Sequence, residues 1–98
     1  MVITYSHGVP VYEPANDAEL GEWRPAPCEA LQFVKISRRE YWIFNCGAFL
    51  GSASRLIYAD AWQAVSGENR LCVAPLSSLL ECAERLIVSA RNSAAGCG

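Results

Sequence analysis

The sequence predicts an α+β fold dominated by helix. One long central helix over residues 38–65 packs on a C-terminal amphipathic helix over residues 75–92, beside a small N-terminal β-hairpin or short sheet. Three observations predict this fold: a helix-capping pattern at Ser37, apolar residues at helical spacing after it, and a second apolar stripe near the C-terminus. With 98 residues, the chain has material for a single domain with one modest core.

Residues 1–13 predict a hairpin. Segments 2–5 and 9–12 are rich in Val, Ile, Thr and Tyr, and a short polar stretch ending in Gly8 separates them. Glycine supplies the positive φ that a tight turn needs, and Pro10 restricts its strand to a sheet edge. The alternative for this segment is an extended arm that crosses a partner subunit.

Residues 14–29 are acidic and proline-rich, and they predict a connecting loop in which Asn16 caps a short helical turn. Trp23 in this loop is interpreted as a lid over the core, and the alternative is an exposed anchor for a partner. Residues 30–36 predict a strand because β-branched residues partly alternate there. Good helix formers at the start of this segment leave a kinked helix as the rival.

The central helix has predicted signals at both ends. Ser37 and Glu40 match a capping box, and Gly67 suits the left-handed position just after a helix. At about 100° per residue, one apolar stripe faces the core. Its members are Trp42, Cys46, Phe49, Leu50, Ala53, Leu56, Ile57, Ala61 and Ala64. A second stripe lies nearly opposite and consists of Phe44, Gly47, Gly51, Tyr58 and Trp62. A helix that is apolar on two sides needs two packing partners, and the second could be another molecule.

The C-terminal helix of residues 75–92 has two candidate starts. Pro75 suits a first helical turn, and Ser78 with Glu81 matches another capping box. Its apolar stripe is expected to contact the central helix and consists of Leu76, Leu79, Leu80, Ala83, Leu86, Ile87 and Ala90. Residues 93–98 lack periodicity and bulk, and we expect this tail to fray.

Composition narrows the classes of partner. The net charge is -2, and the Arg38-Arg39 pair is the largest basic cluster, which argues against direct contact with nucleic acid. Polar residues interrupt the most apolar run before a membrane span could form. Five widely spaced cysteines and no signal peptide predict reduced thiols in the cytoplasm. A hydrophobic fraction of 52% with 18% charged residues favours a homodimer or another protein partner.

The chain has little material for catalysis. His7 is the single histidine, and it lies in a predicted turn without a carboxylate or cysteine at ligand spacing. Metal motifs and phosphate loops are lacking, so the sequence predicts a protein that is not an enzyme and has no cofactor. The least favoured alternative is a small enzyme or ligand-binding module that uses His7 or Cys28.

The leading hypothesis is a small cytoplasmic regulator that binds another protein through the helix of residues 38–65, because aromatic residues dominate interface energetics. In size, acidity, reduced cysteines and helical character, and in the stretch from Ser37 to Gly51, the chain resembles small anti-activators of quorum sensing in pseudomonads, of the QslA type. The resemblance implies binding to the ligand-binding domain of a LuxR-type transcription factor, which would block dimerisation or DNA binding. The predicted contact residues are Ile43, Phe44, Asn45, Gly47, Phe49, Tyr58 and Trp62. Alternatives are a phage-type inhibitor of another protein complex and a homodimeric structural subunit.

Overall fold

The computed structural model describes residues 1–27, 30–57, 60–67 and 76–96, with side chains up to residue 90 in the last range. Within these ranges, six strands form one sheet, and the chain also contains two helices. In chain order the elements are β1 (Val2–Ser6), β2 (Val9–Glu13), α1 (Asp17–Glu22), β3 (Leu31–Lys35), β4 (Glu40–Asn45), β5 (Ala48–Arg55), β6 (Trp62–Ser66) and α2 (Leu79–Gly96).

The strands lie side by side in chain order, from β1 at one edge to β6 at the other. All neighbours are antiparallel except β2 and β3, which are parallel and pair through Val11 with Phe33 and Tyr12 with Val34. A parallel pair needs a connection that returns the chain to the starting end, and the segment that contains α1 makes this return. The sheet is therefore mixed.

The predicted long helix of residues 38–65 is wrong, and with it the helix-dominated fold class: the described part of this segment forms β4, β5 and most of β6. Residues 41–44 are Tyr-Trp-Ile-Phe, a run that favours strands over helices. Cys46 and Gly47 then form a two-residue turn with φ of 52° and 83°. Positive φ at both central residues is typical of the turns that join antiparallel strands, so the chain reverses where a helix would continue.

Both supposed helix ends also belong to the sheet. The backbone N–H groups of Ile36 and Ser37 donate to the Glu40 carbonyl at 2.9 and 3.2 Å, which closes the turn between β3 and β4. The Gly67 N–H donates to the Leu50 carbonyl at 2.8 Å, beyond the end of β6. Ser and Gly serve turns as well as helix ends, so these residues alone did not distinguish the two structures.

The N-terminal predictions agree with the structure. Residues 1–13 contain the hairpin of β1 and β2, whose turn residues His7 and Gly8 have φ of 53° and 81°. Residues 30–36 contain a strand, Leu31–Lys35. Pro10, however, lies in an interior strand. Its missing N–H breaks no bond to β3, because the register with β3 covers only the two residues that follow it.

Residues 14–29 were predicted to form a loop with one short helical turn. The structure has this turn as α1. The Asn16 side chain caps α1 by accepting from the Glu19 N–H at 2.8 Å.

Helix α2 covers one face of the sheet, with most of its contacts on β5 and β6. The buried residues between them are Val11, Phe33, Ile43, Ala53, Ala64, Leu76, Leu79, Cys82, Ala83 and Leu86. The helix begins at the second of its two predicted starts, where the Ser78 Oγ accepts from the Glu81 N–H at 3.1 Å. It continues to Gly96, so the first part of the tail of residues 93–98 is helical, and its fraying stays a prediction. Its packing partner is a sheet face instead of a second helix.

Candidate functional site

Five aromatic rings contact one another in series on the sheet, and we call this group the aromatic cluster. Trp23 lies between Tyr12 and Phe44, with ring centroids 5.4 Å and 5.0 Å away. Phe49 continues the series, 5.4 Å from Phe44 and 6.1 Å from Trp42. All four of these pairs are tilted or edge-to-face, and aromatic quadrupoles favour edge-to-face contacts over a stacked sandwich. The cluster thus links β2, β4 and β5 with the segment that follows α1.

The aromatic cluster lies on the sheet face opposite α2. Side chains alternate between the faces of a strand, and Ile43 of β4 is buried in the core beneath the helix. Its neighbours Trp42 and Phe44 therefore point away from the helix. We call this the open face of the sheet.

A β-bulge places Phe49 in the cluster. Across β4 and β5, Ile43 pairs with Gly51 but Phe44 pairs with Phe49, so one residue, Leu50, is inserted. Without this insertion, Leu50 would face Phe44 and Phe49 would lie on the other side of the sheet. With it, Leu50 packs toward the core and Phe49 joins the open face.

Residues 23–27 cover part of the open face and fix the position of Trp23. Gln32, which is 1% exposed, is the anchor for this segment. Its Oε1 accepts from the Ala26 N–H at 2.9 Å, and its Nε2 donates to the Tyr12 hydroxyl at 3.2 Å. A buried amide needs such partners, so these bonds hold the segment over the sheet. Trp23 is a lid on the open face, whereas the sequence placed the lid over the core.

Exposure is concentrated at one ring of the cluster, that of Phe49 on β5. Phe49 is 49% exposed, while the other four aromatic residues are half-buried. The β5 and β6 positions beyond it on the same face are uncharged, since Ser52 faces Val65 and Ser54 faces Gln63. Across β4, Glu40 lies opposite Ser54 on this face. This surface therefore offers an apolar ring with neutral polar neighbours, a composition typical of protein interfaces and unsuited to phosphate.

The structure brings together only part of the predicted contact set. Phe44 and Phe49 are adjacent in the cluster. Ile43 is fully buried on the helix-covered face, and Trp62 lies on that face too, 5.5 Å from the ring of Tyr41. A period of 3.6 residues had grouped these side chains, whereas the two-residue period of a strand separates them.

Three predicted contact residues remain: Asn45, Gly47 and Tyr58. Asn45 ends β4, and Gly47 lies in the turn that follows, packed against Pro27. Tyr58 lies outside the described residues. Three members of the cluster are absent from the predicted contact set: Tyr12, Trp42, and Trp23, which the sequence singled out separately as a lid or an exposed anchor. The alternation of Trp42 with Phe44 was the available signal for a shared strand face.

A separate cleft of about 320 Å³ lies on the other side of the sheet, between the first hairpin and the start of α2. Tyr41 and Trp62 form one wall, and His7, Ser77 and Ser78 lie among its other lining residues. The His7 Nδ1 lies 3.3 Å from the Ser6 Oγ. Within the described ranges, no three His, Cys, Asp or Glu side chains are placed to hold a metal ion. Cys28 lies outside those ranges.

No protein-family model, curated protein or solved structure matches this chain. Of the helices in the described part of the chain, none combines the length and apolar character needed to cross a bilayer.

Proposed function

We propose that this chain is a protein-binding regulator and that the aromatic cluster is its docking surface. The observation that supports the proposal is the exposed ring of Phe49 within a continuous aromatic series, beside the uncharged open-face positions of β5 and β6. Aromatic side chains that lie on a rigid element and retain exposed area are the usual anchors of protein interfaces. The strands hold these rings in place before a partner arrives, which lowers the entropic cost of binding.

The exposed part of the Phe49 ring is large enough to contribute to binding. Complete burial of a Phe side chain contributes about 1.5–3 kcal/mol. Covering the exposed half of Phe49 therefore contributes roughly 1 kcal/mol, before ring contacts with the partner are added. Phe44 is half-buried, and its ring contacts the ring of Phe49 at a centroid distance of 5.4 Å.

The compartment and the class of partner are part of the same proposal. Cys46, which is exposed, and Cys82, which is buried, are both thiols, as suits a reducing cytoplasm. The resemblance to quorum-sensing anti-activators suggests the ligand-binding domain of a LuxR-type transcription factor as the partner. That resemblance was drawn in part from residues 37–51, which are a strand-turn-strand segment, so the partner is tested separately from the docking surface.

The docking surface is tested by affinity purification from bacterial lysate followed by mass spectrometry, with Phe49→Glu as the variant. A charge at an interface core weakens binding by about tenfold or more. Val88→Glu is the matched control, because Val88 is 50% exposed on α2, away from the open face. We expect Phe49→Glu to lose partners that the wild type and Val88→Glu retain.

Equal capture by both variants would contradict the docking surface. Circular dichroism of each variant shows whether the fold is intact. A purified LuxR-type ligand-binding domain, mixed with the chain and analysed by size-exclusion chromatography, tests the named partner class. Absence of a joint peak would remove that class and leave the docking surface to the lysate experiment.

A further inference from the structure

The outer edge of β1 is apolar, and no strand of the described residues lies beside it. Within the described part of the chain, β1 pairs only with β2. Ile3 is 51% exposed and Tyr5 is 72% exposed, and the segment Val2–Ser6 contains no charged residue, proline or bulge. Edge strands usually carry such features because a free row of backbone groups pairs with other chains. The absence of these features makes β1 available for pairing.

The hairpin register shows which backbone groups are free. In a hairpin with a two-residue turn, the residues that flank the turn exchange both hydrogen bonds, and the pattern then alternates. Ser6 pairs with Val9 beside the His7-Gly8 turn, so the N–H and C=O groups of Ser6 and Thr4 point to β2. Those of Ile3 and Tyr5 point outward, away from the sheet.

The opposite edge of the sheet, β6, differs from β1 because part of it is already paired. On the outer side of β6, Trp62 and Leu76 exchange backbone hydrogen bonds, each of 2.8 Å. This bridge occupies one end of that edge. An assembly in which β1 of one copy pairs with β6 of the next would meet the bridge, whereas pairing of β1 with itself would not.

We propose that two copies of this chain pair antiparallel through β1, with Thr4 on the twofold axis. In this register Ile3 of each copy lies opposite Tyr5 of the other, and their outward N–H and C=O groups bond to each other. The pairing is self-complementary, as a twofold interface requires. Because the strand is uncharged, no like charges meet at the axis.

The side chains support the same register. Ile3 pairs with Tyr12 in the hairpin, so Ile3 and Tyr5 lie on the open face. An aromatic ring opposite a β-branched side chain is a favourable cross-strand pair. The pairing would extend the sheet across both copies and leave Phe49 accessible. The interface is small, so we expect a weak dimer that dissociates on dilution. The proposal does not rest on the protein-binding function above.

Amide hydrogen exchange of the unaltered chain is the first test. We expect the Ile3 and Tyr5 amides to exchange slowly at high protein concentration and rapidly on dilution. The Thr4 and Ser6 amides, which face β2, should be protected at both concentrations. A chain that sedimentation shows to be monomeric throughout, or a concentration effect that spares Ile3 and Tyr5, would overturn the proposal. If the chain is monomeric throughout, a strand from a different protein becomes the alternative partner of β1.

Paired charges test the register. The double variant Ile3→Lys with Tyr5→Lys places like charges opposite each other and should weaken the dimer by about tenfold, from the usual cost of cross-strand pairs. The variant Ile3→Glu with Tyr5→Lys places opposite charges there and should restore it. Lysines at Ile57 and Val88, which are exposed outside β1, form the control that should dimerise normally. Equal dimerisation of both β1 variants would rule out this register.

Discussion

Gly51 lies so close to Val65 that a Cβ atom on Gly51 would come within 2.2 Å of the Val65 carbonyl oxygen. The same atom would lie 2.9 Å from the Cα of Ser66. Both neighbours are backbone atoms of β6, and Gly51 itself is a member of the bulge opposite Ile43. Neither strand can move aside without loss of its hydrogen bonds. The bulge that brings Phe49 to the open face therefore depends on a residue without a side chain.

We predict that Gly51→Ala destabilises the protein by about 3 kcal/mol or more, because the methyl group overlaps backbone atoms. Gly21 in α1 is the matched control, since a Cβ there meets nothing within 4 Å. Gly21→Ala should stabilise by about 0.5–1 kcal/mol, the usual gain in a helix. Urea denaturation of the three proteins measures both effects. Similar midpoints for Gly51→Ala and the wild type would refute the close approach.

The turn at Cys46 predicts a stabilising substitution. Cys46 has φ of 52°, a left-handed conformation that asparagine adopts more readily. Cys46→Asn should raise the free energy of unfolding by roughly 0.5–1 kcal/mol, since Asn-Gly is the preferred pair for this turn. Cys46→Val should lower it, because a β-branched residue is strained there. Thermal denaturation under reducing conditions compares them. In a helix, asparagine would have no advantage over cysteine. An unchanged melting midpoint for Cys46→Asn would therefore argue against the hairpin turn.

The buried amide of Gln32 predicts energetic coupling between Tyr12 and the lid segment. Gln32→Leu removes the acceptor of the Ala26 N–H as well as the donor to Tyr12, and should cost about 1–3 kcal/mol. Tyr12→Phe removes only the second bond and should cost about 1 kcal/mol. In the double variant, Tyr12→Phe should add little. Strictly additive costs in a double-mutant cycle would show that the two side chains do not share this network.

In the first turn of α2, we predict that removing the Ser77 hydroxyl changes the pKa of Glu81. The Ser77 hydroxyl and backbone N–H both donate to Glu81, and these bonds lower the pKa of the Glu81 carboxyl below its ordinary value. Ser77→Ala removes the hydroxyl, so the pKa of Glu81 should rise while the backbone bond keeps part of the shift. An NMR titration of the side-chain carboxyl carbon measures this. Glu19, whose pKa is lowered mainly by a hydrogen bond from the Met1 amino group, is the internal control and should not change.

The sign of the accompanying pH dependence follows from the lowered pKa. A carboxylate with a depressed folded-state pKa stabilises the protein above its unfolded-state pKa, and this contribution is lost as the pH falls through the folded-state value. The stability difference between the wild type and Ser77→Ala should therefore be present at neutral pH and shrink as the pH falls through the folded-state pKa of Glu81, which lies below its ordinary value. A difference that grows on acidification would contradict the assignment.

Two turns show how far the sequence could be interpreted. His7-Gly8 and Cys46-Gly47 have nearly the same backbone, with φ of 53° and 81° in one and 52° and 83° in the other. The first was predicted because β-prone runs flank it. The second was missed because Trp42, Cys46 and Phe49 also fit a helical stripe, and short apolar runs do not separate the two periods. The same ambiguity grouped Ile43 and Trp62 with Phe44. Of the predicted contact residues that the structure describes, Phe44 and Phe49 share the open face.

Local sequence by itself determined the hairpin at residues 1–13, the Asn16 cap of α1 and the Ser78 cap of α2. Each depends on hydrogen bonds between residues a few positions apart, so the necessary information lies within a short segment. Only the tertiary structure decided that the segment from 38 to 65 contains strands, that β2 and β3 run parallel, and that Phe49 reaches the open face. Those outcomes depend on distant pairs such as Gly51 with Ser66 and Val11 with Phe33, whose free energy exists only after the strands have met.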